Sequence, residues 1–168
     1  VPLGLAPRGV KLSKKGITRV TYAIVAEDDP AEPEFSGLDY ATALACKLGL
    51  PLRIIAFSPT AYEKHTSTWN EQTLGMLDHA RDYAWALAAE VAPDVCDTFH
   101  VTSSVSAAKS WKRSIDSVKW KKGDIMFLGT HPSPQFTSVF VGTLEGEFIR
   151  YASVPVVVLS LIHISEPT

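Results

Sequence analysis

The sequence has no excess of charge of either sign and no long apolar run. Its 168 residues include 16 Lys and Arg against 18 Asp and Glu, a formal net charge of −2. Proteins that hold nucleic acid by its phosphates usually present a strongly basic face. A helix that spans a bilayer needs about 18 consecutive apolar residues, and no stretch approaches that length. The sequence therefore predicts neither a nucleic-acid partner nor a membrane segment.

Cysteine is also scarce. Cys46 and Cys96 stand far apart among apolar neighbours, without the paired spacing of a zinc site or the density of a disulfide scaffold. We interpret them as buried thiols in a reducing compartment. Because no signal-peptide pattern opens the sequence, we expect a cytoplasmic protein.

Common catalytic and nucleotide signatures are missing. The sequence has no GxxxxGK[ST], GxGxxG, GxSxG or HExxH motif, each of which would point to a defined chemistry. No base, nucleophile and orienting group would be brought together at the ends of the predicted strands. The sequence therefore predicts no dedicated enzyme, no catalytic residues and no protein-held metal site.

What the sequence does have is the composition of one globular domain, with 46% hydrophobic and 20% charged residues. Residues 1–17, rich in Gly and Pro, are predicted to be a linker, which suggests a fragment of a longer chain. Residues 18–160 are predicted to form the domain. Residues 161–168 have no periodicity and resemble a translated sequencing adapter, so we expect an unstructured or non-native tail.

Apolar runs and helical stripes alternate along the predicted domain. Strands are predicted at 19–26, 52–57, 96–102, 124–128 and 155–159, and helices at 34–48, 68–91, 106–120 and 142–152. The second helix would turn one side inward, formed by Leu74, Leu77, Tyr83, Ala84, Leu87 and Ala88. This alternation predicts an α/β fold, a doubly wound, Rossmann-like open sheet of five parallel strands in the order 3-2-1-4-5 with four helices.

Ligands of such sheets bind at the carboxyl ends of the strands. After the fourth predicted strand, a loop leads to Gly142 and Thr143, where a helix begins. Free N–H groups at a helix start can bind an anion, and a glycine lets the backbone approach it closely. The same two residues also suit a plain helix cap. Position alone leaves both interpretations open.

The loop from Gly129 to Thr143 resembles the phosphate-binding loop of the universal stress proteins. That family has a Gly, two residues, a Gly, nine residues and then Gly-Ser or Gly-Thr, and the flanking segments WKKGDIMFLGT and IRYASVPVVVL are also similar to it. The resemblance covers about residues 18–160. It implies ATP across the ends of the first and fourth strands, with a carboxylate after the first strand, backbone contacts at the end of the second and phosphates on the loop: Asp28, Asp29, Ala56, Phe57, Gly129, Thr130, His131, Gly142, Thr143 and Leu144.

One position departs from the family pattern, because Pro132 stands where the second glycine is expected and Pro134 follows. Proline has no N–H to offer a phosphate and cannot adopt the positive φ of glycine. A backbone anion nest would lose a donor there. His131 could compensate through its side chain, or it could be an ordinary surface histidine.

Two charged segments each allow two interpretations. The acidic loop after the first strand could hold Mg²⁺ beside a triphosphate or be a solvated loop: Glu27, Asp28, Asp29, Glu32 and Glu34. Between residues 109 and 122, six basic residues surround two tryptophans. They could bind single-stranded nucleic acid, but we expect solvated cations and packed indoles.

The resemblance thus implies a universal stress protein module that binds ATP, with Mg²⁺. The alternative is a structural module without nucleotide, whose last strand pairs with another copy or with the second domain of a tandem protein. An apolar edge strand has unpaired N–H and C=O groups that favour such pairing.

Overall fold

One mixed sheet organises the chain in the computed structural model, which describes residues 2–5, 9–10, 12–26, 35, 37–130 and 144–160. Its strands are β1 Pro2–Leu5, β2 Arg19–Val25, β3 Leu52–Ser58, β4 Val101–Ala107, β5 Asp124–Thr130 and β6 Val156–Ser160. They lie in the order β1-β6-β5-β2-β3-β4, and β2 to β6 pair in parallel. The α/β fold predicted with parallel strands in the order 3-2-1-4-5 is therefore confirmed.

The four predicted helices cover both faces of the sheet. They are α1 Leu38–Leu48, α2 Ser67–Val91, α3 Trp111–Asp116 and α4 Leu144–Tyr151. The helices α1 and α2 bury one face against Val20, Ile54 and Phe127, and α3 and α4 bury the other against Ile55, Met126 and Val156. Because successive strand residues point to opposite faces, each central strand contributes to both cores.

Residues 2–5, which were predicted to belong to a linker, form the edge strand β1. It pairs antiparallel with β6, from Pro2 opposite Leu159 to Leu5 opposite Val156. Such pairing satisfies backbone groups that β6 would otherwise leave open at the sheet edge. Pairing between residues so far apart in the sequence leaves no periodic pattern around either of them, so the sequence did not predict it. The parallel sheet thereby gains one antiparallel neighbour.

The region between α2 and β5 differs most from the predictions. The strand predicted at 96–102 is wrong in position, since residues 96–98 form a 3₁₀ turn and β4 covers Val101–Ala107. The helix predicted at 106–120 is much shorter, because α3 has only 6 residues. Ser106 lies in the sheet, where its Oγ donates to the Ser114 carbonyl at 2.6 Å and Ser114 Oγ donates back to the Ser106 carbonyl at 2.7 Å. These two hydroxyl bonds join β4 to α3, so Ser106 belongs to the strand and not to the helix.

Two further details of the helices correct the predictions. The helix α1 begins at Leu38 rather than at residue 34, after Gly37 with a φ of 81°, a conformation that favours glycine. On α2, Leu74 and Tyr83 were expected inward but are 55% and 46% exposed. The buried stripe is Trp69, Thr73, Leu77, Ala80, Ala84 and Ala88.

Other side chains follow the expected division between surface and core. Cys46 is buried as predicted, whereas Cys96 is only half-buried. All six basic residues between 109 and 122 are exposed, and the two tryptophans, Trp111 and Trp120, pack against the α3 and α4 core. Across the part of the chain that the structure describes, no helix has the length and apolarity needed to cross a bilayer.

Candidate functional site

The carboxyl edge of the sheet opens between β2 and β5. Pairing of these strands ends at Ala23 opposite Leu128. Yet β2 stays paired with β3 as far as Val25 opposite Phe57, and β5 stays paired with β6 as far as Thr130. The last residues of β2 and β5 are therefore not ladder partners, and the unpaired edge between them is here called the crevice. Chain order also reverses here, at the switch point where α/β sheets place their ligands.

The predicted contacts at the end of β3 are core residues. Ala56 and Phe57 are both 0% exposed, and the Phe57 ring packs edge-on against Phe148 with centroids 5.1 Å apart. The Phe57 carbonyl accepts a hydrogen bond from the Ala26 N–H at 2.9 Å. The side chains of Ala56 and Phe57 are thus unavailable to a ligand. The backbone contacts predicted for these two residues stay a prediction.

Three predicted site residues lie at the ends of elements around the crevice. Gly129 and Thr130 are the last residues of β5, where they pair with Leu159 and Ser160 of β6. Leu144 is the first residue of α4 within the described part of the chain. The remaining predicted site residues lie outside the described residues: Asp28, Asp29, His131, Gly142 and Thr143. So do Pro132, Pro134, Glu27, Glu32 and Glu34.

A polar cluster after β3 was not found from the sequence. His65 Nε2 lies 2.9 Å from Ser58 Oγ and 3.1 Å from the Thr60 carbonyl oxygen. The imidazole stacks on Trp69, with centroids 3.4 Å apart and planes 9° apart. A carbonyl oxygen only accepts, so the tautomer protonated at Nε2 fits this arrangement. The cluster fixes the loop that carries the chain from the carboxyl edge into α2.

The N-terminal cap of α2 fixes the end of this loop. Thr66 Oγ1 accepts a hydrogen bond from the Trp69 N–H at 3.1 Å, an N-terminal cap of the usual kind. The cap aligns Trp69, which is 3% exposed, beneath His65. The only hint of this in the sequence is a capping Thr three residues before a Trp, which no catalytic or binding motif contains.

The serine and histidine of this cluster do not form a catalytic pair. Ser58 is 1% exposed, so its hydroxyl is not presented to a substrate, and the His65 nitrogen beside it also faces a backbone carbonyl. Among the described residues, no group of three or more His, Cys, Asp or Glu side chains is placed to hold a metal ion. The described part of this edge therefore holds strand-end backbone groups and a polar cluster that stabilises the loop into α2.

Comparison with known proteins adds sequence evidence to this geometry. No protein-family model matches the chain. The chain is similar to universal stress proteins of Mycobacterium bovis and of two strains of Mycobacterium tuberculosis, each 26% identical over 171 residues. The similarity covers 95% of this chain and 53% of each relative. The chain thus spans about half the length of the curated relatives it matches.

Proposed function

We propose that the chain carries a domain of the universal stress protein type and that this stress-response module binds ATP with Mg²⁺ in the crevice between β2 and β5. The observation that carries the proposal is the early end of the β2–β5 pairing at Ala23 and Leu128. A sheet that opens at its switch point has room for a ligand between two strand ends. The role is binding, with no dedicated catalysis.

The helix α4 supports a phosphate position at this edge. It follows β5 and precedes β6, so its N-terminus belongs to the carboxyl edge of the sheet. The first N–H groups of a helix lack intrahelical partners, and the helix dipole favours an anion there. The sequence places Gly142 and Thr143 directly before the first residue of α4. As a cap or as a phosphate ligand, the pair would act together with the free N–H groups of this helix start.

Pro132 provides a sharp test. We expect Pro132→Gly to tighten ATP–Mg²⁺ binding, since it restores a backbone donor and the conformational freedom of glycine. Pro132→Ala restores the N–H alone and should have intermediate affinity. Isothermal titration calorimetry of the wild type and both variants measures the order. Absence of heat and of a thermal shift in all three proteins would reject nucleotide binding.

Two substitutions at Thr143 distinguish a phosphate ligand from a helix cap. Thr143→Ala removes a hydroxyl that can bond a phosphate oxygen or cap α4, and Thr143→Ser keeps it. If the hydroxyl binds phosphate, the alanine variant loses affinity while the serine variant retains it. Equal affinity in both variants, with a lower melting temperature for Thr143→Ala, would identify Thr143 as a cap only.

The second candidate is a structural module that pairs through the last strand. The observation in its favour is that the outer edge of β6 accepts an antiparallel strand, here β1 of the same chain. A strand from another copy, or from a second domain, could occupy the same edge once β1 is displaced. Deleting residues 1–5 should then produce dimers, measured by light scattering. A deletion variant that remains monomeric at high concentration would contradict this candidate.

A further inference from the structure

A polar groove lies on the α3 side of β3 and β4, away from the crevice between β2 and β5. Its volume is about 380 Å³, and its walls come from the two strands and from the segment after α3. The helix α3 ends at Asp116, before the predicted end at residue 120, and residues 117–119 that follow it line the groove. Arg53, Ser104, Ser117 and Lys119 contribute its polar groups.

Arg53 brings a positive charge that its surroundings only partly neutralise. The carboxylate of Asp124 is bound on both oxygens by Arg19, at 2.6 Å from Nε and 2.6 Å from Nη2. Arg53 Nη2 lies farther from the same carboxylate, at 3.8 Å. Two guanidinium groups thus share one carboxylate, which leaves an excess of one positive charge. Burial and the charge of Arg19 lower the pKa of Arg53, against the opposing effect of Asp124.

The guanidinium is also held in a fixed orientation. Its Nε and Nη2 both donate to Thr21 Oγ1 at 3.2 Å. Its carbon lies 5.1 Å from the centroid of the Trp120 ring, a distance typical of cation–π contact. The side chain is only 15% exposed. A planar donor that is already ordered loses little conformational entropy when it binds an oxyanion.

We propose that this groove binds the phosphoryl group of a small ligand through Arg53 and Lys119. Two cationic side chains match the charge of a phosphate dianion, and arginine binds phosphate oxygens with good geometry. The hydroxyl of Ser104 lines the same groove and can donate to a remaining oxygen, whereas Ser117 Oγ already donates to the Ser114 carbonyl at 2.9 Å. The site involves β3, β4 and the segment 117–119, so it is independent of the proposed nucleotide crevice.

A titration with inorganic phosphate, followed by ¹H–¹⁵N NMR spectroscopy, tests the proposal. We expect saturable shifts at the amides of Ser104, Ser117 and Lys119, and no such shifts with sodium chloride or sodium acetate at the same ionic strength. Equal responses to chloride would mean non-specific charge screening, and equal responses to acetate would mean that any oxyanion suffices. Either result overturns the phosphoryl site.

Three variants locate the binding groups. Arg53→Gln should weaken phosphate binding about tenfold or more, since a charge-assisted hydrogen bond is lost. Lys119→Ala should weaken it several-fold without disturbing the core, because Lys119 is exposed. Lys122→Ala is the matched control, an exposed lysine that does not line the groove, and should bind like the wild type. Full affinity in both Arg53→Gln and Lys119→Ala would refute the site, whatever the outcome of the ATP titrations.

Discussion

Replacing Asp124 by alanine should destabilise the domain more than removing any surface charge. The Asp124 side chain is 0% exposed, and it accepts hydrogen bonds from Arg19 and from the Lys121 N–H at 2.7 Å. Removing one partner of a buried ion pair typically costs 3 to 5 kcal/mol, because the other charge is left uncompensated. Arg19 and Arg53 are 21% and 15% exposed and can recover some hydration, so we expect a loss of about 3 kcal/mol.

Urea unfolding, with the midpoint and slope fitted together, measures this loss. Asp124→Asn keeps the shape and one acceptor but removes the charge, so its loss should lie between wild type and Asp124→Ala. The matched control is Asp78→Ala, whose pair with Arg81 at 3.1 Å is exposed on both sides and should change stability by less than about 0.5 kcal/mol. If Asp124→Ala and Asp78→Ala are equally stable, the ion pairs of Asp124 with Arg19 and Arg53 do not stabilise the amino ends of β2, β3 and β5.

Three further predictions concern the cores. Phe148→Ala should lower the free energy of unfolding by about 3 to 5 kcal/mol, since Phe148 is 0% exposed and packs on Phe57; a loss below 1 kcal/mol in urea would contradict this packing. Burial raises the pKa of Tyr22 above its ordinary 10.0, so stability should be complete below about pH 10 and fall at higher pH. Tyr22→Phe should unfold in urea with a weaker dependence on pH over that range, and an unchanged dependence would refute the assignment. A maleimide should label half-buried Cys96 faster than buried Cys46, whose pKa burial raises; mass spectrometry of partly labelled protein gives the order.

The fold was predictable because its central strands carry the signal in their own residues. Runs such as RVTYAIV in β2 and LRIIAFS in β3 are buried on both faces, and such strands read as continuous apolar segments. The strand VTSSVSA of β4 lies at the edge, where hydroxyl side chains are tolerated, so its composition resembles that of a loop. The neighbouring helix was predicted too long because Ser106 and Ser114 donate hydrogen bonds to each other's carbonyls. No local sequence pattern reveals that contact.

The location of the strand ends was predictable, but the surroundings of the side chains at those ends were not. Parallel strands bring their carboxyl ends to one edge, so Phe57 and Gly129 were correctly placed there. Whether a side chain at that edge faces a ligand or the core depends on tertiary packing, and Phe57 is buried against Phe148. His65 was missed because its partners, Ser58 and Trp69, are assembled by a turn and a helix start rather than by a motif.

The two proposed sites also decide how an ATP titration has to be interpreted. A triphosphate presents the same oxyanions that Arg53 and Lys119 are proposed to bind, so heat released on adding ATP could come from either location. Substitutions distinguish the two contributions to ATP binding. Pro132→Gly should strengthen binding at the crevice only, and Arg53→Gln should weaken binding at the groove only. If ATP binding responds to Arg53→Gln and not to the Pro132 variants, the groove accounts for the heat and the crevice is not the nucleotide site. If it responds to Pro132→Gly alone, the opening between β2 and β5 holds the nucleotide, and the sequence resemblance and the strand register point to the same site.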